Sequence, residues 1–216
     1  KASFLEKTGW NDLTCAVCHN IIDVDTILDQ AKEPITLQLD SSKINLCSVG
    51  RLTEQKGYLR LVRILGELKD SIQAEWNLYI LGQGEQKELI EKTMSKYGLQ
   101  DKIHLLGYDL NPYKYVSKMD VFICSSYKEG YSTAVTESIV VGTPVITTDC
   151  AGMNEIIGDS KAGIVVENTD IALRNVLEEL LTNKIDIVSL KNNAIVRSDF
   201  FSKSNLKEFE DVISSK

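Results

Sequence analysis

Arg51 and Lys56 stand between two glycines in Gly50-Arg51-Leu52-Thr53-Glu54-Gln55-Lys56-Gly57, a stretch that follows the apolar run 44–49 and precedes a helical pattern. Two positive charges in a glycine-bounded loop at a helix start suit a diphosphate. Glycine lets the backbone approach closely, the helix start offers unpaired N–H groups, and the cations supply full charge. Taken alone, the same pattern also describes solvated surface cations. A second constellation, Glu129-Gly130-Tyr131-Ser132-Thr133-Ala134-Val135-Thr136-Glu137, sets two glutamates apart by seven residues. Glu129 falls just before a helix and Glu137 about a turn and a half inside it, so both can face one cleft. Carboxylates accept hydrogen bonds from sugar hydroxyls, and two at this separation could grip a sugar and a ribose with phosphates between them. The plain alternative is two solvated glutamates on an amphipathic helix.

The elements that must position these loops follow from hydrophobic periodicity. The 216 residues, 43% hydrophobic and 25% charged, have the composition of an ordinary globular protein with one substantial core. Short apolar runs alternate with longer amphipathic ones, and Gly or Asp punctuates the junctions, which predicts βαβ units. Strands are expected over 44–49, 76–81, 103–106, 121–124, 145–147 and 163–166, mostly unbroken by charge, as strands covered on both faces read. Helices are expected over 58–68, 85–97, 111–118, 132–141 and 171–181. In the first, Leu61, Ile64, Leu65 and Leu68 form one stripe; in the last, Val176, Leu177 and Leu180 do. The fold class is therefore α/β, a Rossmann-like open parallel sheet with helices on both faces and right-handed crossovers. Ligands of such sheets bind beyond the carboxyl ends of the strands, which directs attention to loops 50–57, 82–85, 107–112, 125–132 and 148–155, each holding a glycine.

A formal charge of -7 and the lack of a sustained Lys/Arg run argue against a nucleic-acid partner, while leaving a single nucleotide open. No apolar stretch is long enough to span a bilayer and the first residues carry no signal pattern, so the chain reads as cytoplasmic. The five cysteines are an odd number, and Cys47, Cys124 and Cys150 sit in or beside apolar runs, as reduced core residues do. Cys15-Ala16-Val17-Cys18-His19 fits a haem-attachment spacing, but the apolar run 13–18 reads as a strand and no second Cys/His pair lies at zinc spacing. Asp23-Val24-Asp25, before the first clear strand, reads as linker, and His104 as a packed core residue without a role. Gly82-Gln83-Gly84 is too short for a dinucleotide fingerprint, and Tyr113, Tyr115 and Tyr127 read as packing residues of helices and loop ends.

Five segments recur in order: Gly50-Arg51-Leu52 with Lys56-Gly57, Leu81-Gly82-Gln83-Gly84, Leu106-Gly107-Tyr108, Glu129 to Glu137, and Gly142-Thr143-Pro144-Val145-Ile146. Over residues 20–181 this set resembles the C-terminal domain of glycosyltransferase family 4, retaining enzymes of the two-Rossmann-domain GT-B architecture. The resemblance implies that Arg51 and Lys56 hold the donor diphosphate, that Glu129 contacts the donor sugar and that Glu137 binds the ribose hydroxyls. It also implies phosphate contacts from the backbone of Gly50, Gly130, Tyr131 and Ser132, and a base held along 105–108, including Leu106 and Gly107, largely by backbone groups. The donor is then a UDP-, GDP- or ADP-sugar, with no metal or other cofactor required. Catalytic roles fall to Arg51, Lys56 and Glu129, since charge growing on the departing diphosphate must be stabilised.

The resemblance further implies residues 1–19 as an interdomain remnant, 20–184 as the nucleotide-sugar-binding domain and 185–216 as a C-terminal helical segment. In Asn20-Ile21-Ile22-Asp23 an isoleucine stands where the family's linker usually has glycine. The chain starts at Lys1, and only residues 4–10, with a helical pattern, precede the linker. A glycan or lipid-linked acceptor would be met by an N-terminal domain absent from this sequence, in polysaccharide or glycoconjugate assembly, with the whole protein peripheral to the inner membrane face. The chain alone is expected to bind donor and transfer little. A non-catalytic nucleotide or sugar-phosphate binding module of the same fold is the alternative, because fold alone licenses no reaction.

Overall fold

The computed structural model describes residues 22–72, 74–159 and 161–214. The expectations placed on residues 1–19, including the helix over 4–10, the strand over 13–18 and the Cys15-Cys18-His19 motif, lie outside the described residues, as do Asn20 and Ile21. In chain order the elements are α1 (Val24–Ala31), β1 (Ile44–Val49), α2 (Tyr58–Leu68), β2 (Trp76–Leu81), α3 (Lys87–Tyr97), β3 (Ile103–Gly107) and α4 (Tyr113–Val116). They continue with β4 (Val121–Cys124), α5 (Thr133–Val140), β5 (Val145–Thr148), α6 (Met153–Ile157), β6 (Gly163–Val166), α7 (Asp170–Leu181) and α8 (Ile187–Ser214). A single 3-10 turn, Glu54–Lys56, precedes α2.

The six strands are parallel and lie in the order β3-β2-β1-β4-β5-β6. The central strands β1, β2, β4 and β5 are buried on both faces, which is why they read as largely apolar runs, while the edge strands β3 and β6 are only partly buried. Leu46, Leu78, Ile80, Val121, Ile123 and Ile146 enter one core cluster, with the stripes of α2, α3 and α7. Cys47, Tyr79, Phe122, Cys124 and Val145 enter the other, with α1, α5, α6 and the buried side of α8. The α2 residues Leu61, Ile64, Leu65 and Leu68 are at most 1% exposed, and each such side chain contributes roughly 1.5–3 kcal/mol of burial.

Strand order reverses direction between β1 and β4, the position where open α/β sheets form a crevice. Here β1 pairs with β4 only through Leu46 opposite Val121 and Cys47 opposite Phe122, whereas β1 and β2 pair along their full length from Ile44–Trp76 to Val49–Leu81. The loops after β1 and β4 therefore leave the sheet side by side.

Several local expectations need correction. Asp23 is not linker: its carboxylate caps α1, accepting from Thr26 N at 3.0 Å and Thr26 Oγ1 at 2.7 Å, and Val24, Ile27 and Ala31 of that helix are buried. An N-cap aspartate followed by apolar residues at helical spacing had the signature of a helix start. The helix expected over 111–118 is the short α4, since Pro112 occupies its N-cap position, and α6 was not anticipated at all. His104 is half-buried on the edge strand β3, stacked on Tyr79 with ring centroids 4.9 Å apart, rather than enclosed in the core. Cys47, Cys124 and Cys150 are buried free thiols, as read. Among the described residues no helix is long and apolar enough to cross a membrane.

Two glycines fix the approach of the loops. Gly57 sits at φ 68°, where an added Cβ would lie 2.1 Å from Ser125 O, and Gly82 at φ 146°, where it would lie 1.9 Å from Gly50 O. Both substitutions would strain φ and drive a methyl into backbone that cannot swing aside. Gly57→Ala and Gly82→Ala are each expected to cost more than about 2 kcal/mol in urea unfolding. Gly130→Ala, which meets open space, should stay within about 1 kcal/mol of wild type. Equal costs for all three would contradict the packing described.

Candidate functional site

The loop after β1 begins against its neighbours. Gly50 N donates to Leu81 O at 3.0 Å, Leu52 N to Gln83 O at 3.0 Å and Gly82 N to Gly107 O at 2.7 Å, so three successive strand ends are tied together. The 3-10 turn then carries Lys56 toward β4, with its Cε passing close to Gly50, and Gly57 in left-handed conformation redirects the chain into α2. Across the strand-order reversal, Lys56 Nζ donates to Glu129 Oε1 at 2.8 Å, and Ser126 Oγ donates to the same oxygen at 2.6 Å. The loops are also joined by Tyr127 N to Gln55 O at 2.8 Å, Gln55 Nε2 to Lys128 O at 2.9 Å, and Ser125 Oγ to Lys56 O at 3.0 Å. The Glu129 side chain is 8% exposed and that of Lys56 21%. A carboxylate so far withdrawn from water requires such donors.

The chain past Glu129 prepares a helix start. Gly130 has open space where a side chain would be, Tyr131 is half-buried, and Ser132 caps α5 by accepting from Val135 N at 3.4 Å. The first turn of α5 therefore presents backbone N–H groups beside Lys56 and Glu129, a favourable environment for an anion. Glu137, further along α5, accepts from Tyr113 Oη at 2.8 Å. Burial pushes the Glu137 carboxyl above its ordinary value, and the Tyr113 hydrogen bond pulls it part of the way back. The Tyr113 phenol is in turn raised by burial and by its bond to Glu137.

Beside this polar cluster opens a cleft of about 620 Å³, lined by Gly50 and Arg51, Gly82 and Gln83, and Tyr108, Asp109, Leu110, Pro112 and Tyr113. Its size lies within the range of small-molecule sites. Tyr108 and Leu110 are 64% and 84% exposed at its rim. Arg51 is exposed, and among the described residues its side chain makes no hydrogen bond or ion pair. Leu106 packs against the core instead of the cleft, and Gly107, at φ 78°, turns the chain from β3 into the cleft-lining segment.

The structure thus brings Gly50, Arg51 and, through Tyr113, Glu137 to one cleft, with Lys56, Glu129, Gly130 and Ser132 adjoining. It does not turn the Leu106 side chain toward it. Sequence reasoning missed Ser126, whose only signal was its i,i+3 spacing to Glu129; Tyr113 packs against the core as read, and nothing in the sequence marked its hydrogen bond to Glu137. Gly82 and Gln83, in one of the loops the sequence marked for a ligand, line the cleft wall. Among the described residues no group of three or more His, Cys, Asp or Glu could hold a metal ion.

Known proteins resemble this chain in sequence and in fold. The family model for glycosyl transferases group 1 matches residues 29–197. A *Campylobacter jejuni* N-acetylgalactosamine-N,N'-diacetylbacillosaminyl-diphospho-undecaprenol 4-alpha-N-acetylgalactosaminyltransferase is 34% identical over 191 residues, covering 88% of this chain and 50% of that protein. A *Bacillus subtilis* poly(glycerol-phosphate) alpha-glucosyltransferase is 27% identical over 84% of this chain and 27% of its own length. This chain thus spans half or less of these relatives. Among solved structures, *Anabaena* Alr3699/HepE in complex with UDP superposes with a TM-score of 0.79 at 15% identity, covering all of this chain and 61% of that one, a likeness of fold. With the matched segment running from α1 into α8 and containing both loops of the crevice, the chain belongs to the group 1 glycosyl transferase family.

Proposed function

We propose that this chain is the C-terminal, donor-binding domain of a retaining glycosyltransferase of the family 4 type, and that the crevice between the ends of β1 and β4 holds a nucleoside diphosphate sugar. The observation that carries the reading is the convergence of Lys56, Ser126 and Glu129 at the strand-order reversal, with Arg51, which has no partner among the described residues, on the adjoining cleft. Arg51 and Lys56 take the diphosphate, helped by the backbone of Gly50, Gly130, Tyr131 and Ser132. Glu129 takes hydroxyls of the donor sugar and Glu137 those of the ribose. The base lies along Leu106, Gly107 and the cleft wall beyond them, and the UDP bound to the *Anabaena* neighbour favours a uridine donor.

Cleavage of the bond between the anomeric carbon and phosphate leaves negative charge on the diphosphate while the sugar becomes oxocarbenium-like. Lys56, held in place by Glu129, and Arg51 at the cleft meet that charge, so leaving-group stabilisation proceeds without a metal. The acceptor attacks the face from which the diphosphate departs, and anomeric configuration is retained. Names of the relatives, which include a diphospho-undecaprenol-linked sugar and poly(glycerol phosphate), support a glycan or lipid-linked acceptor. A further domain of the whole protein would bring it, at the cytoplasmic membrane face, in polysaccharide or glycoconjugate assembly.

In calorimetry against UDP-, GDP- and ADP-sugars, one class should bind. Arg51→Ala and Lys56→Ala should each weaken it roughly 10- to 100-fold, the loss of one charge-assisted contact. Lys69→Ala should change nothing, because its amine caps Tyr97 O far along α2 from the loops. Unchanged affinity in both loop variants would sink the assignment.

Glu137 makes a second prediction, of opposite sign for stability and binding. Its carboxyl titrates higher in the folded protein than in the unfolded chain. The native state therefore holds the extra proton between those two values, and stability falls as pH rises through that window. Below the ordinary carboxylate range the effect is absent, and at neutral pH the ionised group is a net cost. Glu137→Gln should raise Tm at pH 7, while weakening nucleotide binding about tenfold or more. A lower Tm together with intact binding would contradict both halves.

A further inference from the structure

The Tyr113 hydroxyl reaches Glu137 Oε1 from a different element, 2.8 Å away, and one side of the same residue lines the cleft beside Gly50 and Arg51. Its position is held by the short helix it begins. Asn111 Nδ2 donates to Gln30 O at 2.9 Å, Ser117 Oγ to Ala31 O at 3.2 Å, and Lys114 pairs with Asp109 at 3.0 Å. α4 is thereby fixed between α1 and the loop after β3, and Tyr113 meets Glu137 as a preset donor.

An ionised carboxylate offers two oxygens, each able to accept more than one hydrogen bond, and a free side chain can rotate them about its last bond. A donor fixed on Oε1 restricts that rotation and leaves Oε2, with the remaining capacity of Oε1, for other donors beside the cleft that Tyr113 lines. Such a carboxylate matches a vicinal cis-diol, whose two hydroxyls both donate. With one hydroxyl missing, one oxygen loses its partner in a half-buried setting, and sites built to bond a hydroxyl discriminate strongly against its absence. Burial alone would push Glu137 toward its neutral, weaker-accepting form, and the phenol opposes that shift.

We propose that Tyr113 is a positioning residue that makes Glu137 a reader of the ribose cis-diol, so that preference for ribo- over 2′-deoxyribonucleoside diphosphates runs through the Tyr113–Glu137 hydrogen bond. The inference rests on Glu137 as the ribose-binding carboxylate. A tyrosine present only to fill space would be replaced by phenylalanine without consequence for this preference.

The test uses whichever of UDP, GDP and ADP the wild-type chain binds best, together with its 2′-deoxy counterpart, in calorimetry on wild type, Tyr113→Phe, Glu137→Gln and the double variant. Wild type should favour the ribonucleotide about tenfold. Tyr113→Phe should bring that ratio down at least fivefold toward the Glu137→Gln value, leave deoxyribonucleotide affinity within about threefold, and add nothing in the Glu137→Gln background. General loosening of the cleft would weaken both nucleotides alike. If Tyr113→Phe fails to fold, Glu137→Asp, which keeps the charge but withdraws it from the hydroxyl, should lower the ratio in the same way. A wild-type ratio retained in Tyr113→Phe overturns the inference while sparing the Glu137 assignment. A wild type without ribose preference, unchanged by Glu137→Gln, overturns the assignment itself.

Discussion

The Lys56–Glu129 ion pair joins two loops that start from neighbouring strands yet lie 73 residues apart in sequence. Both loops leave the sheet where β1 and β4 stop pairing, and each then feeds a helix on a different face, α2 on one side and α5 on the other. Such loops would part without ties. The ion pair, the backbone bond from Tyr127 N to Gln55 O and the side-chain bonds from Gln55 to Lys128 O and from Ser125 to Lys56 O hold them at fixed separation, while Ser126 steadies Glu129 within its own loop. A buried pair of this kind adds little net stability, because desolvation offsets much of the attraction, but losing one partner is costly. Its value lies in geometry. In the proposed function a diphosphate entering the crevice offers Lys56 a second anionic partner, so ligand and Glu129 share the cation.

The rest of the crevice follows from how closely backbones can pass. Gly82 against Gly50, and Gly57 against Ser125, are contacts at which a single methyl would collide with a carbonyl oxygen. These contacts let the ends of β1, β2 and β4 crowd together and leave the cleft open on the β3 side, where Tyr108, Leu110 and Tyr113 form its outer wall. Charge is thus concentrated at the strand-order reversal and apolar surface at the sheet edge, an arrangement suited to a ligand with a phosphorylated end and a flat ring.

Most of the sheet was legible in the sequence because both faces are covered: strands such as Trp76–Leu81 and Val121–Cys124 are buried throughout and read as uninterrupted apolar runs. The long stripes of α2 and α7 were legible for the same reason. Short elements were not. α6 has five residues and α4 four, too few for a 3.6-residue period to declare itself, and Pro112 shortens α4 further. Asp23 could have been read as a cap, yet its place before the first clear strand made the segment look like linker. In the site, glycine and charge marked the loops from local sequence alone. Ser126 and Tyr113 gave almost no local mark, since what they do depends on which carboxylate the fold brings to them. Tyr113 lies 24 residues from Glu137, and nothing in its own neighbourhood distinguishes a donor from a packing ring.

The central claim is that the crevice at the strand-order reversal receives the diphosphate, and the most direct measurement is a crystal structure of this chain with the nucleoside diphosphate it binds best. Diphosphate density is expected within hydrogen-bond reach of Arg51, Lys56 and the backbone at the start of α5, with the ribose against Glu137. Density for the diphosphate in any other groove, with the Lys56–Glu129 pair and Arg51 left untouched, would contradict it.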